Sequence, residues 1–409
     1  MKKDKFITNF ALDPDENTIK QFKECISNSF VVKASLMPDA HSGYVAPIGS
    51  VIATKNYIVP SWVGFDIGCG VLGVKFELED DKKDLFVLIE KNKDLIFEKV
   101  KKKVPLGLGE ENSGYNLTRK TKKDFLKLLK NFKNKESYNK DDYNFISSNK
   151  ALKNLGTLGS GNHFIELGFI KTINKSNNIK DKSKSNFNKN FKEKDIFLII
   201  HTGSRSIGHK LATKYMKLAS NKNENFEKTF SLDINSKIAK NYIDILEFCL
   251  EFAYLNRLEI AYKVHDILES ILNERIRFSV WANKNHNLVS FDNNLIIHRK
   301  GATPSKKGEL GIIPGNMRDG SYLVEGLGNK DFLESSSHGA GRVLSRKKSK
   351  EELNLEDFKN AMKDIKAEIS EKFIDESPMA YKNIDLVMEK QKDSVKVLGI
   401  VKPIINWKG

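Results

Sequence analysis

Cysteine is scarce in this chain: 409 residues hold three, Cys25, Cys69 and Cys249, too few and too scattered for a disulfide framework. That scarcity fits a reducing compartment and excludes the small stapled scaffolds of secreted proteins. No apolar run reaches the roughly 18–20 residues that a membrane-spanning helix needs. The start, Met1-Lys2-Lys3-Asp4-Lys5, is basic, but neither an apolar run nor a small-residue cleavage site follows, so no secretory signal is visible. A cytoplasmic protein without membrane contact is expected. Histidine is also rare, with eight in the chain, which makes the placement of each one informative.

Basic charge is abundant. Lys and Arg number 69 against 53 Asp and Glu, a formal net charge of +16. Such a field attracts polyanions, of which nucleic acid is the commonest large one in a cytoplasm. Charge alone does not decide the partner, because Lys and Asn are enriched everywhere, as in proteins from AT-rich genomes. An apolar content of 39% with 25 Phe marks a folded chain.

Two textures alternate. Gly-rich, lysine-poor stretches cover Met37 to Val74, Leu155 to Leu167, Ile199 to Gly208 and Val280 to Arg346. Between them lie lysine-rich segments with recurring Leu and Phe, such as 80 to 133, which read as amphipathic helices outside a sheet-based core. Residues 236 to 276 read as one or two long helices, with Cys249 and His265 as filler, and a further helix starts near Ser349. Lys171 to Lys194 is nearly all Lys, Asn, Ser and Asp, a flexible insertion without chemistry. The apolar tail from Val397 to Gly409 is expected to dock into the body. Together these readings give a mixed α/β fold in one domain, 1–409.

Most of the histidines stand beside Gly, Ser or Asn at tight turns, where a rigid scaffold usually carries function. One such residue is more often a satisfied turn histidine, but several in one chain shift the balance. Val63-Gly-Phe-Asp-Ile-Gly-Cys-Gly70 sets a carboxylate and a thiol three residues apart among glycines, so that Asp66 and Cys69 can face one point. With imidazoles they suit a divalent transition metal; alone, a D-x-x-C is no more than a buried Cys in a turn. In Gly161-Asn-His-Phe-Ile-Glu-Leu167 the alternation puts His163, Ile165 and Leu167 on one strand face, Phe164 and Glu166 on the other. Asn162 offers a neutral amide for phosphate oxygens.

Ile196 to His201 reads as a buried strand that delivers His201 to its end, with Gly203 turning into a helix near Ile207 that takes in His209. Ser204, Arg205 and Ser206 at that helix start form an expected phosphate cradle. His298-Arg-Lys300 reads as a phosphate-facing basic cluster, and Ile313 to Tyr322 as a loop able to wrap a nucleotide. In Ser335-Ser-Ser-His-Gly-Ala-Gly-Arg342, glycines permit close approach to a ligand. His338 there serves as ligand, base or nucleophile; spacing does not choose.

In combination these segments resemble the RtcB family of RNA ligases. The resemblance rests on Met37-Pro-Asp-Ala-His-Ser-Gly43, Gly64-Phe-Asp-Ile-Gly-Cys-Gly70, Gly156-Thr-Leu-Gly-Ser-Gly-Asn-His-Phe164, His201-Thr-Gly-Ser-Arg205, His298-Arg-Lys-Gly-Ala-Thr303, His338-Gly-Ala-Gly-Arg342 and the final Lys408-Gly409, in the family's order from about residue 37 to the C-terminus. It implies a single α/β domain with a β-rich core around a dinuclear site and helices outside. It implies Asp66, Cys69, His163, His201 and His286 as ligands of two Mn(II), with Cys69 bridging. His338 would take GMP from GTP as a phosphoramidate. The guanylate pocket would comprise Asn162, His163, Phe164, Ile165, Glu166, His286, Asn287, Pro314, Gly315, Asn316, Met317, Ser321, His338, Gly339, Ala340, Gly341 and Lys408, the last contacting the base. Arg205, Arg299 and Arg342 would hold RNA.

The implied reaction joins a 3′-phosphate or 2′,3′-cyclic phosphate RNA end to a 5′-hydroxyl, in tRNA splicing or RNA repair, by a monomer with an archease-type activator as a further expected partner. Two departures stand out: Asn316 and Arg318 occupy positions where the family more often has Ser and Gly, and Arg318 would narrow the pocket or add a phosphate contact. The competing readings are a metal-dependent RNA-end phosphatase or cyclic phosphodiesterase without covalent guanylylation, and a basic RNA-binding module without catalysis.

Overall fold

In the computed structural model, residues 6–80, 82–107, 109–112, 116–171, 191–222 and 225–409 are described. Most of the insertion read at 171–194 falls outside them; Lys171 closes a strand, and Lys192 N–H caps onto Asp195 Oδ2 at 2.8 Å.

The chain is mixed α/β, built on two large sheets. The smaller has five strands in the order Phe6–Asn9, Val31–His41, Ile48–Thr54, Leu295–Lys300, Asn287–Asp292. The larger runs Leu310–Pro314, Ser321–Gly326, Val395–Lys408, Phe164–Lys171, Ile196–Thr202, Gly70–Leu78, Ile276–Asn285, all antiparallel, with Lys366–Ala367 added alongside the C-terminal strand. Ile196–Thr202 is buried along its whole length, as its unbroken apolar run requires. Leu198 and Ile200 join one core and Phe197 and Ile199 another, so both faces of the sheet are covered.

The segment read as one or two helices is a single 36-residue helix, Lys237–Leu272, capped by Ser236 Oγ accepting from Ala239 N–H and ended by Asn273 at φ 52°. Ile260, Val264 and Leu268 pack in the core under the large sheet, while Phe248 and Phe252 meet Phe132 and Phe125 of the outer helix Arg119–Lys133. The amphipathic pattern did not distinguish them because this helix is apolar on two faces. Near Ser349 there are two short helices, Arg346–Glu352 and Leu355–Ala361, the second capped by Asn354.

The C-terminal tail does more than dock. Val395–Lys408 is an interior strand, with Trp407 opposite Ile165 and Lys408 opposite Phe164. Trp407 Nε1 donates to Phe97 O at 3.0 Å and its ring stacks on Phe97, which fixes the strand end. No helix among the described residues is long and apolar enough to cross a membrane.

Register determines the site. Gly70 pairs with Thr202 on one side and Asn285 on the other, and Phe164 pairs with His201. Cys69, His163, His201 and His286 therefore emerge at one end of four adjacent strands.

Candidate functional site

Side-chain atoms of Cys69, His201 and His286 lie within 4.8 Å of one another, and so do those of Asp66, Cys69 and His163. Cys69 is common to both groups. Its Sγ is 3.3 Å from His201 Nε2 and 3.5 Å from His163 Nε2, and the Nε2 atoms of His201 and His286 are 3.3 Å apart. His163 Nε2 stands 3.1 Å from Asp66 Oδ2.

Second contacts set the tautomers. His163 Nδ1 faces Leu158 O at 3.0 Å and His201 Nδ1 faces Asn162 O at 3.1 Å. A carbonyl only accepts, so both Nδ1 atoms carry the proton, and at His201 the Nε2 lone pair faces the thiol. Burial depresses His201 and His286 well below the usual imidazole range, which keeps both neutral. Burial and the neighbouring Asp66 push the Cys69 thiol well up. At Asp66, burial works upward, but hydrogen bonding and charge from His163 outweigh it and hold the carboxyl low. The buried Asp66 Oδ1 and His286 Nδ1 lack hydrogen-bond partners. A thiol, a carboxylate and three imidazoles converging there fit a pair of transition-metal cations, which would supply positive charge and take the thiol as thiolate.

The backbone is held for this purpose. A Cβ on Gly203 would fall 2.2 Å from Asp66 Oδ1, so glycine is required where the strand leaves His201. Asn287 secures the Asp66 turn: its Nδ2 donates to Asp66 O at 3.1 Å, and its own carbonyl accepts from Gly68 N–H at 2.9 Å. Arg257, fully buried on the long helix, donates to Gly68 O (3.0 Å), Thr202 O (2.8 Å), Asn283 Oδ1 (2.9 Å) and Asn285 Oδ1 (2.7 Å). One guanidinium thus ties together the segments that bear Cys69, His201 and His286.

Beside the cluster opens a cavity of about 430 Å³, walled by His201 on the cluster side and by His338. The rings of His286 and His338 are 4.8 Å apart, edge to face. His338 Nδ1 is 2.6 Å from Asp39 Oδ2, and the N–H groups of His338 and Gly339 donate to the same oxygen at 3.1 and 3.2 Å. Burial works to raise the Asp39 carboxyl; His338, as charge and hydrogen-bond donor, pulls it below the ordinary range. Gly341 at φ 73° lets this loop lie on Asp39, whose carbonyl a Cβ would meet at 2.2 Å. His41, also in the wall, is depressed to about 4, chiefly by burial.

Most of the expected pocket residues line the cavity: Asn162 from a turn, Phe164 and Glu166 from the strand that follows, Pro314 to Met317 from a hairpin, Gly339 to Gly341 beside His338, and Lys408. Others are placed behind it. Ile165 points into the core, as the alternation predicts, and Ser321 Oγ donates to Glu166 Oε1 at 3.1 Å. Burial pushes the Glu166 carboxyl up to about 8 against the lowering pull of Ser321, Lys402 and Lys408. Lys408 Nζ pairs with buried Glu376 and lies 5.4 Å over the Phe164 ring.

Several expectations are corrected. Arg299 is 2% exposed; Ser335 Oγ, Ser290 Oγ and Leu333 O engage its guanidinium, so it braces the fold and has no face for RNA. His298 and Lys300 are also buried, on Ile52 O with Val59 N–H and on Ala46 O, so the basic triplet is not a phosphate-facing cluster. The cradle at the start of the helix Arg205–Ala219 is filled from inside: Ser204 Oγ donates to Ile67 O, and Ser206 N–H and Oγ donate to Asn154 Oδ1. Arg205 remains beside the cluster, its Nε 3.3 Å from Thr157 Oγ1. Arg318 folds onto Asp319 at 2.8 Å instead of entering the cavity. Arg342 lines it while donating to Leu344 O, Ser349 Oγ and Asp375 O.

The sequence reading missed Asp39, Arg257, Arg346, Glu376 and Asn406. Asp39 lies inside a quoted motif, but only the fold brings it to His338, 299 residues away. Arg346, which lines the cavity and pairs with Asp375 and Glu376, stands out in the sequence only as the end of a Gly-rich, lysine-poor stretch.

Comparison with known proteins places this arrangement. The family described as tRNA-splicing ligase RtcB matches residues 21–409. The RNA-splicing ligase RtcB of Escherichia coli K12 is 32% identical, over 92% of this chain and 90% of that protein. The tRNA-splicing ligase RtcB of Nanoarchaeum equitans is 30% identical, over 91% of this chain and 86% of its own. That of Thermococcus kodakarensis is 26% identical over 91% and 87%. The chain belongs to the RtcB family of RNA-splicing ligases.

Proposed function

We propose that this protein joins RNA ends bearing a 3′-phosphate, or a 2′,3′-cyclic phosphate first opened to it, to 5′-hydroxyl ends, using GTP and two Mn(II) through a GMP adduct on His338. The observation that carries the reading is His338, held at Nδ1 by a buried carboxylate, in a cavity bounded on one side by the two-centre ligand cluster. Substrates of this class include the halves of a cleaved tRNA, as the names of the relatives suggest.

Cys69, His201 and His286 would hold one cation and Asp66, Cys69 and His163 the other, and the bound cations would neutralise charge that develops on a phosphoryl group. The protein's own groups do the rest. A proton on Nδ1, which stands 2.6 Å from Asp39 Oδ2, would leave the His338 Nε2 lone pair for attack. Nε2 bonds to the α-phosphorus of GTP, the bond to the bridging oxygen breaks, and pyrophosphate leaves. Asp39 stabilises the positive charge that the imidazole gains. In the second transfer an RNA 3′-phosphate oxygen attacks the same phosphorus, the P–N bond breaks, and the end becomes activated by GMP. A 5′-hydroxyl then attacks the RNA phosphorus and GMP departs with its electrons. Arg342 and Arg346 line the cavity where these phosphates would lie.

Glu166 supports guanine as the base. A carboxylate accepts from both N1–H and the exocyclic amino group of guanine, whereas adenine offers an acceptor at N1. Phe164, under the Lys408 ammonium, offers a ring face to the base.

The test is joining of two RNA oligonucleotides, one ending in 3′-phosphate and the other starting with 5′-hydroxyl, with GTP and Mn(II). Wild type should yield the joined strand and His338→Ala none. Turnover of RNA ends by His338→Ala equal to wild type, without joining by either, would instead support a phosphatase or cyclic phosphodiesterase using the same cluster.

A further inference from the structure

Apart from the cavity that His201 lines, the cluster reaches solvent at Asp66. Cys69, His163, His201 and His286 are at most 5% exposed, whereas the Asp66 side chain is 31% exposed. Phe65, the residue before Asp66, stacks on His209 at 4.8 Å and 18° and meets Tyr44 edge to face at 5.6 Å. Tyr44 is 75% exposed, the most exposed of the large apolar side chains among the described residues. It is also continuous with the cavity wall, because His41 and Ser42, three and two residues earlier, line that cavity. His209 lies one helical turn after Arg205, so the two share a face of their helix.

The charge beside these rings is mixed: Glu227 lines a small hollow with Tyr44 and Phe65, and a pair of lysines lies past His209. Lys210 follows His209, and the ammonium of Lys150 lies next to it closely enough to lower the Lys210 pKa. Among the described residues no carboxylate forms an ion pair with either lysine, and Lys210 Nζ instead sits 5.8 Å over the Phe145 ring. Two adjacent cations without an acid between them suit a polyanion, and exposed rings beside a basic track suit unstacked bases.

We infer that Tyr44, Phe65 and His209, flanked by Lys150 and Lys210, form a stacking platform for a nucleobase of the substrate RNA close to the end being joined. The inference rests on the ligase reading for the identity of the strand. The RNA end would sit at the cluster, the neighbouring base would lie on the exposed Tyr44 ring, and the following phosphates would reach the lysine pair. An exposed ring accepts any base, so the contact adds affinity without sequence preference.

The test is binding of a fluorescein-labelled single-stranded RNA ending in 3′-phosphate to the full chain, without GTP, so that failure of joining chemistry does not enter. Tyr44→Ala should weaken binding about tenfold, Tyr44→Trp should keep it, and guanylylation without RNA should be unchanged in both. An RNA with an abasic site at the stacked position should bind wild type and Tyr44→Ala equally. Lys150→Gln with Lys210→Gln should flatten the salt dependence of binding. If Tyr44→Ala and His209→Ala bind the RNA as tightly as wild type, the rings only pack the Asp66 turn and the platform is wrong. If binding falls in Tyr44→Ala but the abasic RNA still distinguishes it from wild type, stacking is likewise refuted.

Discussion

His338 Nδ1 stands 2.6 Å from Oδ2 of Asp39, a carboxylate with no exposed surface. That oxygen also takes the backbone N–H groups of His338 and Gly339, so one atom fixes both the ring and its loop.

Asp39→Asn should leave GTP binding nearly intact and slow GMP transfer to His338 by about 10²-fold or more. An amide either accepts weakly from Nδ1 or donates to it and moves the proton onto Nε2, the attacking atom. Single-turnover labelling against nucleotide binding separates the two effects. Equal transfer rates would mean that Asp39 only shapes the loop.

Glu166 gives a pH dependence of definite sign. Its carboxyl is pushed up to about 8 and so keeps its proton at neutral pH in the ligand-free cavity. Guanine's donors favour the carboxylate, so binding should release a proton and tighten as pH rises toward 8, by at most about tenfold per unit, then level off. Calorimetry with GMP on metal-free protein measures this. Glu166→Gln should abolish the slope and weaken the preference for GMP over AMP. A slope that survives in the variant would assign it to another group.

Arg257→Met removes the guanidinium that joins three ligand-bearing segments, and should lower cation affinity about 10–100-fold. Co(II) titration reads it directly, through the absorption of a thiolate–cobalt bond at Cys69. Arg257→Lys should recover part of the loss. Unchanged affinity in a folded variant would confine Arg257 to general stability.

Arg299→Ala should act on folding, not on RNA. It leaves two serine hydroxyls and the Leu333 carbonyl without their buried partner and should cost about 2–4 kcal/mol. Thermal unfolding measures the loss. An RNA affinity reduced by more than a few-fold in protein still folded at the assay temperature would restore the phosphate contact that the sequence pattern suggests.

The ligand cluster was legible because its residues sit in Gly-rich turns whose types allow little else, and because the phrases around them recur in order. The alternation that separates Ile165 from Phe164 and Glu166 was also readable, since a strand has period two. What escaped were relations across long separations and residues whose charge misled. Arg257 lies in an unremarkable helical stretch and Arg299 in a basic triplet, and only burial shows that each is a brace. Asp39 reads as part of a motif, yet its partner is set by the antiparallel neighbours that carry Ser337 and His338 to it. The long helix was legible as a helix but not as an interior one, because its two apolar faces average out along the sequence.

The most direct measurement is transfer of labelled GMP from GTP, labelled at the α-phosphate, to the protein in the presence of Mn(II), with the modified peptide identified. The account predicts a base-stable, acid-labile label on His338, lost with His338→Ala and strongly reduced with Cys69→Ala. Label on another residue, or none on folded wild-type protein that still joins RNA, would contradict it.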